Sequence, residues 1–234
     1  MKIQFAILLA LFALGRAAQA QGFINVDFDS ANISGYSPDS SDVPTTSAFP
    51  GWSAYYISST ATNAATQVWY DGISLGGAII SVIDMNAPAF SPIQGKYSAF
   101  LFGGAGSGAQ LFSAQINQTG LVPTGTESLL FDAYVAGAPF VVTLGGQTIN
   151  MIPLQSFSNY TLYGGNIPSN MAGQIETLSF TEPPPASSPP SFFELDNIQF
   201  LTSSVPEPSG LGLIAFGSLF LTWRWQRKAI KIRA

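Results

Sequence analysis

The sequence predicts an all-β protein, a jelly-roll-like β-sandwich, and three observations carry that expectation. Short runs of alternating apolar and polar residues recur along the chain. Clusters of Gly, Pro, Ser and Asn separate them, within 234 residues that include 23 Gly and 16 Pro. Long stretches with helical period and good helix formers are missing from the body, while 47% of the residues are apolar, enough for a sizeable core.

The elements follow in order. Ile24, Val26 and Phe28 share one face of an expected first strand, with Asn25, Asp27 and Asp29 on the other. Ala78 to Ile83, Tyr97 to Phe102, Leu111 to Ile116 and Ser128 to Val135 read as further strands. Phe140, Val142 and Leu144 alternate, Gly145-Gly146 turns, and Gln147, Ile149 and Met151 alternate back. A two-residue glycine loop suits a primed turn, because both central residues need positive φ. Gln174 to Phe180 and Phe192 to Leu201 complete the set, with a stiff proline-rich surface loop from Glu182 to Pro190 between them. In the last strand Phe193 and Leu195 share one parity and Ile198 and Phe200 the other, which requires a bulge near Asp196-Asn197 if all four are buried. Nine to eleven strands in one domain over residues 21–203 are best housed in two sheets.

Charge and composition remove whole classes of function. Cysteine and histidine are absent, which excludes disulfides, thiolate or imidazole metal sites, cysteine nucleophiles and Ser-His-Asp triads. Charged residues are only 9%, and between Gln21 and Val205 a single base, Lys96, faces twelve acids, leaving −11. Such a body repels a phosphate backbone, so nucleic acid is not a partner, and small cations are. No cofactor is required.

The two ends describe export. Met1-Lys2, the apolar run Ile3 to Leu14 and Ala18-Gln19-Ala20 have the order of a signal peptide over residues 1–20. At the other end Pro206-Glu207-Pro208 precedes an uncharged stretch, residues 210–225, read as a transmembrane helix. Trp223 and Trp225 mark its interface, and Arg224, Arg227 and Lys228 lead a basic tail that places the C-terminus in the cytoplasm and the acidic body outside. Pro-Glu-Pro, apolar span and basic end together resemble a PEP-CTERM sorting signal over residues 204–234. The resemblance implies recognition and removal by an exosortase, a membrane peptidase, with a membrane-anchored precursor that passes to the envelope or the exterior.

A second resemblance concerns the body. The first strand, Pro50-Gly51-Trp52 and Glu194-Leu195-Asp196-Asn197-Ile198 are similar to segments of galactose-binding-like jelly rolls of carbohydrate modules. It implies a structural calcium held by Asp27, Asp29 and Asp196, and hard oxygen ligands are what calcium takes. The same three acids otherwise read as a solvated face. Tyr55, Tyr56 and Tyr70, close to Trp52 and Trp69, form a candidate ligand platform, since flat aromatic faces stack on sugar rings. The alternative for these rings is ordinary core. Glu194 and Asp196 share a strand face, the arrangement a carboxylate glycosidase would use, but they read as structural. The Gly103 to Gly108 run lacks a following helix and a nearby Lys, so it is a loop and no phosphate cradle. The leading expectation is a non-enzymatic envelope or extracellular-matrix protein sorted by an exosortase. The alternative is a carbohydrate-binding module for exopolysaccharide, and a glycosidase ranks last.

Overall fold

Two adjacent glycines turn the chain most sharply. Gly145 and Gly146 have φ of 56° and 76°, the left-handed pair that a primed hairpin needs and that a Cβ would oppose. They join strands β9 (Val141–Leu144) and β10 (Gln147–Thr148), with Gln147 opposite Leu144 as expected. Ile149 N–H donates to Val142 O at 2.9 Å, continuing the pairing. The computed structural model describes residues 21–73, 76–105, 110–137, 140–184 and 191–206. The expected signal peptide, the span over 210–225 and its basic tail lie outside the described residues. Among those described, no helix is long and apolar enough to cross a membrane.

Among the described residues, fourteen strands form one curled sheet whose two halves face each other. The first half runs β1 (Ser40–Pro44), β4 (Gln67–Tyr70), β5 (Ile79–Ile83), β6 (Ser98–Ala105), β14 (Ser191–Leu201), β8 (Ser128–Ala136), β12 (Thr161–Asn166) and β11 (Ile152–Ser156). The second runs β10, β9, β13 (Ile175–Glu182), β7 (Leu111–Leu121), β2 (Ser53–Ile57) and β3 (Thr62–Ala65). The end of β6 pairs with the start of β7 and joins the halves. Neighbours are antiparallel apart from β4 and β5. The one helix among the described residues, α1, is the four-residue Thr45–Ala48.

Alternation builds the core. Leu129, Phe131, Phe193 and Leu195 point inward from the first half and Ile116, Val142, Leu178 and Phe180 from the second. The Phe131 and Phe180 rings meet edge to face at 5.2 Å, and Phe140 stacks on Phe193 at 4.6 Å. Such ring pairs add about 1 kcal/mol each to what their burial supplies. The outer face of the first half is covered too. Residues 84–97 cross it as a strap, and Phe90 packs on Phe100 and Phe192, each at 5.0 Å. Covered on both faces, β5 is buried along its whole length. This is why Ile79-Ile80-Ser81-Val82-Ile83 is almost uniformly apolar instead of alternating.

The structure differs from expectation at the N-terminal segment. Residues 24–28 are not a strand, because Asn25 and Phe28 adopt φ of 49° and 54° and break the extended path. Phe28 is still fully buried, packed on Phe49 and Trp52. Six short strands are absent from the sequence expectation: β1, β3, β11 and β12 are too polar or too proline- and glycine-rich to show alternation, and β2 and β4 are short aromatic runs that read as a ligand platform or core. The bulge in β14 is present: the register to β8 slips between Asp196 and Gln199, and Asn197 has φ 51°. Phe193 and Leu195 before it and Ile198 after it all reach the core.

Candidate functional site

Strand β14 turns Phe193 and Leu195 inward, so Glu194 and Asp196 face outward under the strap. In register, Glu194 lies between Phe100 of β6 and Tyr134 of β8, and Asp196 lies beside Asp132. The strap is fastened to these acids. Gln94 N–H and Ser98 Oγ donate to Asp196 Oδ2 at 3.0 and 3.3 Å, and Gln94 Nε2 donates to Asp132 Oδ2 at 2.6 Å. From the other side Asp29 Oδ1 accepts Lys96 N–H at 2.6 Å and Tyr97 N–H at 3.2 Å. The turn 94–98 is therefore gripped between Asp29 and Asp196.

Burial sets the protonation of this face. It pushes Glu194 up to about 8, with the Asp196 charge adding, and Asp196 up to about 7, with Asp29 adding against the N–H donors. Glu194 Oε1 has no hydrogen-bond partner among the described residues. Glu182, at the end of β13, is likewise buried, pushed up to about 8, and accepts from the Ser191 hydroxyl. Glu194 and Asp196 thus lie sealed beneath Phe90 and the turn, not along an open cleft.

A separate pair, Asp71 and Asp84, directly follows the C-terminal ends of β4 and β5. Asp84 N–H donates to Asp71 Oδ1 at 2.9 Å, and Tyr70 OH donates to Asp84 Oδ2 at 2.6 Å. Burial raises Asp71 to about 7. Burial opposes the Asp84 charge too, but hydrogen bonds from Tyr70 and Asn86 hold Asp84 low. At neutral pH the pair carries its charge mainly on Asp84.

Of the metal candidates, Asp29 and Asp196 come to the same turn. Asp27 instead accepts the N–H of Asp29 at 3.3 Å within its own loop. Among the described residues no group of three His, Cys, Asp or Glu is placed to hold a metal ion. Two carboxylates already accepting N–H groups fall well short of the six to eight oxygens that calcium takes, so the donor set does not fit a calcium cage.

The candidate platform does not assemble. Tyr55 and Tyr56 are consecutive on β2 and face opposite ways. Tyr56 reaches across the sandwich, where its OH accepts Ile80 N–H at 3.2 Å, and Tyr70 is buried against Asp84. The rings left open to solvent are others. Tyr134 and Phe157 are 43% and 44% exposed, and Phe157 stacks on Tyr160 at 4.6 Å. One step beyond the Thr161–Ala133 pair, the register puts Tyr160 beside Tyr134. The Phe157-Ser-Asn-Tyr160 turn was the available sequence signal.

Both ends of the body are held by side-chain amides. Ile24 N–H donates to Gln118 Oε1 at 2.6 Å, and Gln118 Nε2 donates to Ile24 O at 3.0 Å. Val205 N–H donates to Asn166 Oδ1 at 2.6 Å, and Asn166 Nδ2 donates to Val205 O at 3.0 Å.

Comparison with known proteins adds to this geometry. No curated protein matches the chain. Among solved structures it is similar to TmCBM61 in complex with β-1,4-galactotriose, at 14% identity and a TM-score of 0.41, over 78% of this chain and 99% of that one. It is also similar to a family 11 carbohydrate-binding module from Clostridium thermocellum in complex with a β-1,3-1,4-mixed-linked tetrasaccharide, at 11% identity and a TM-score of 0.31, over 73% and 100%. Residues 204–228 match the PEP-CTERM protein-sorting motif, and this marks the chain as an exported protein of the exosortase-processed kind.

Proposed function

We propose that this chain is a structural protein of the cell envelope or extracellular matrix, delivered by an exosortase, and that its body, residues 21–203, catalyses no reaction. The observation that carries this reading is the sorting motif at 204–228 directly after the last strand. The segment 210–225 serves as a temporary membrane anchor, with Arg224, Arg227 and Lys228 on the cytoplasmic side. Of the two acids that a glycosidase would use, Asp196 is committed to fastening the strap and Glu194 is buried beside it, which supports a binding or packing body over a catalytic one. Expression of the full chain in hosts with and without an exosortase tests the delivery. Mass spectrometry is expected to find a mature chain ending upstream of Gly210 only where the peptidase is present. Recovery of intact tails ending at Ala234 in both hosts would sink it.

The second reading is carbohydrate binding, with exopolysaccharide as ligand. The exposed rings of Tyr134 and Phe157, the latter stacked on the half-buried Tyr160, favour it, because a stacking platform needs aromatic faces in water. A glycan array probed with the mature protein should show binding that weakens about five- to thirtyfold in Tyr134→Ala or Phe157→Ala, the loss of one ring contact of about 1–2 kcal/mol. Equal binding by both variants would reject these rings as the platform.

A further inference from the structure

We infer that Asn166 is a positioning residue for sorting: it ends the folded body at Val205 and thereby determines which peptide bonds the sorting peptidase reaches. The inference rests on the exosortase reading above.

Three ties fasten the outgoing chain. Glu127 N–H donates to Leu201 O at 2.8 Å, Ser128 Oγ donates to Ser203 O at 2.7 Å, and Asn166 then takes both backbone groups of Val205. The Asn166 pair copies the two bonds that an antiparallel strand exchanges with its partner, although Val205 itself belongs to no strand. The Val205 side chain is 7% exposed. Its seat exists because Gly164 has no side chain: a Cβ there would lie 3.0 Å from Val205 Cγ2 and 2.6 Å from Leu154 Cδ1. Pro206 follows at once and is exposed. No slack separates the body from Pro206-Glu207-Pro208.

A peptide bound in extended form exchanges backbone hydrogen bonds with the surface that reads it. Val205 has neither backbone group to offer while the clamp is closed, so accessible chain begins at Pro206. The clamp is also built to open. Asn166 is exposed and lines a cleft of about 290 Å³ together with Asn150, Ile152 and Gly165. Water competes for an exposed amide, so opening is cheaper here than at a buried one.

The test uses the full chain with its exosortase and two variants that release Val205 from opposite sides. Asn166→Leu keeps the size and loses the amide, and Gly164→Ala fills the seat and leaves Asn166 in place. Wild type is expected to give one mature end, at Pro206 or beyond. Each variant is expected to add ends upstream of Pro206 that are absent without the peptidase, and to speed Val205 amide exchange about threefold to fivefold. Circular dichroism confirms that each variant is folded, and if one is not, the other decides. Faster exchange with an unchanged single end overturns the inference, as does wild-type exchange already as fast as the variants'. A lowered thermal midpoint with an unchanged end is a purely structural effect and counts against it. Failure of the wild type to be processed at all would remove the exosortase reading and this inference together. A processed wild type with unaltered variants removes this inference alone.

Discussion

The two ends of the body are fastened by the same device in different surroundings. At the entrance Gln118, on the central strand β7 and 5% exposed, holds Ile24. At the exit Asn166, the exposed last residue of β12, holds Val205. An amide hydrogen bond contributes about 1 kcal/mol net, and stripping a buried one leaves groups unsatisfied at about 1–3 kcal/mol. The entrance keeps its amide in the core and leaves the held residue, Ile24, 39% exposed, whereas the exit exposes its amide and buries the held residue, Val205, to 7%. Identical bond geometry thus carries different consequences, because desolvation decides how much each bond is worth.

Proton titration separates the clamps from everything else, and its effect is the largest expected. Neither amide titrates. Asp71, Glu182, Glu194 and Asp196 hold protons up to about 7, 8, 8 and 7 when folded, against 3.8 for Asp and 4.5 for Glu in the open chain. The folded state binds these protons more tightly, so their contribution is full below about pH 4 and is lost as pH rises through 7 to 8. Thermal midpoints of the mature protein should fall by about 5 °C or more between pH 5 and pH 9, and Glu194→Gln should flatten the slope. A midpoint that rises with pH would show the strap-covered acids to be ionised.

The clamps themselves come next. Gln118→Leu is expected to cost about 1–3 kcal/mol, and Asn166→Leu less than about 1 kcal/mol, read as midpoint shifts at pH 6. Equal losses would break the distinction between a buried and an exposed fastening. The smallest effect concerns calcium. With Asp27 turned into its own loop, and Asp29 Oδ1 and both Asp196 oxygens accepting N–H groups, melts with calcium and with chelator should agree within about 2 °C. A larger rise that Asp196→Asn abolishes would restore a metal to that turn.

Legibility followed distance along the chain. The Gly145-Gly146 turn, the bulge announced by the parity switch after Leu195 and the Pro206-Glu207-Pro208 motif were readable because each is written in a few neighbouring residues. The platform of Tyr55, Tyr56 and Tyr70 failed because closeness in sequence does not put rings on one face of a sheet: consecutive strand residues point apart, and Tyr70 belongs to the other half. The first expected strand failed because two left-handed residues cost little next to the burial of Phe28.

By itself, the amino-acid sequence determined an acidic, histidine- and cysteine-free β body followed by a sorting motif, since alternation, turn chemistry, charge and a contiguous motif are local quantities. Only the tertiary structure decided that a strap seals Glu194 and Asp196 and that amides 94 and 39 residues away catch the two ends. A single Gln or Asn carries no periodic signal. What it binds is set by which strands the fold brings alongside it, and what the bond is worth is set by how much water the fold leaves there.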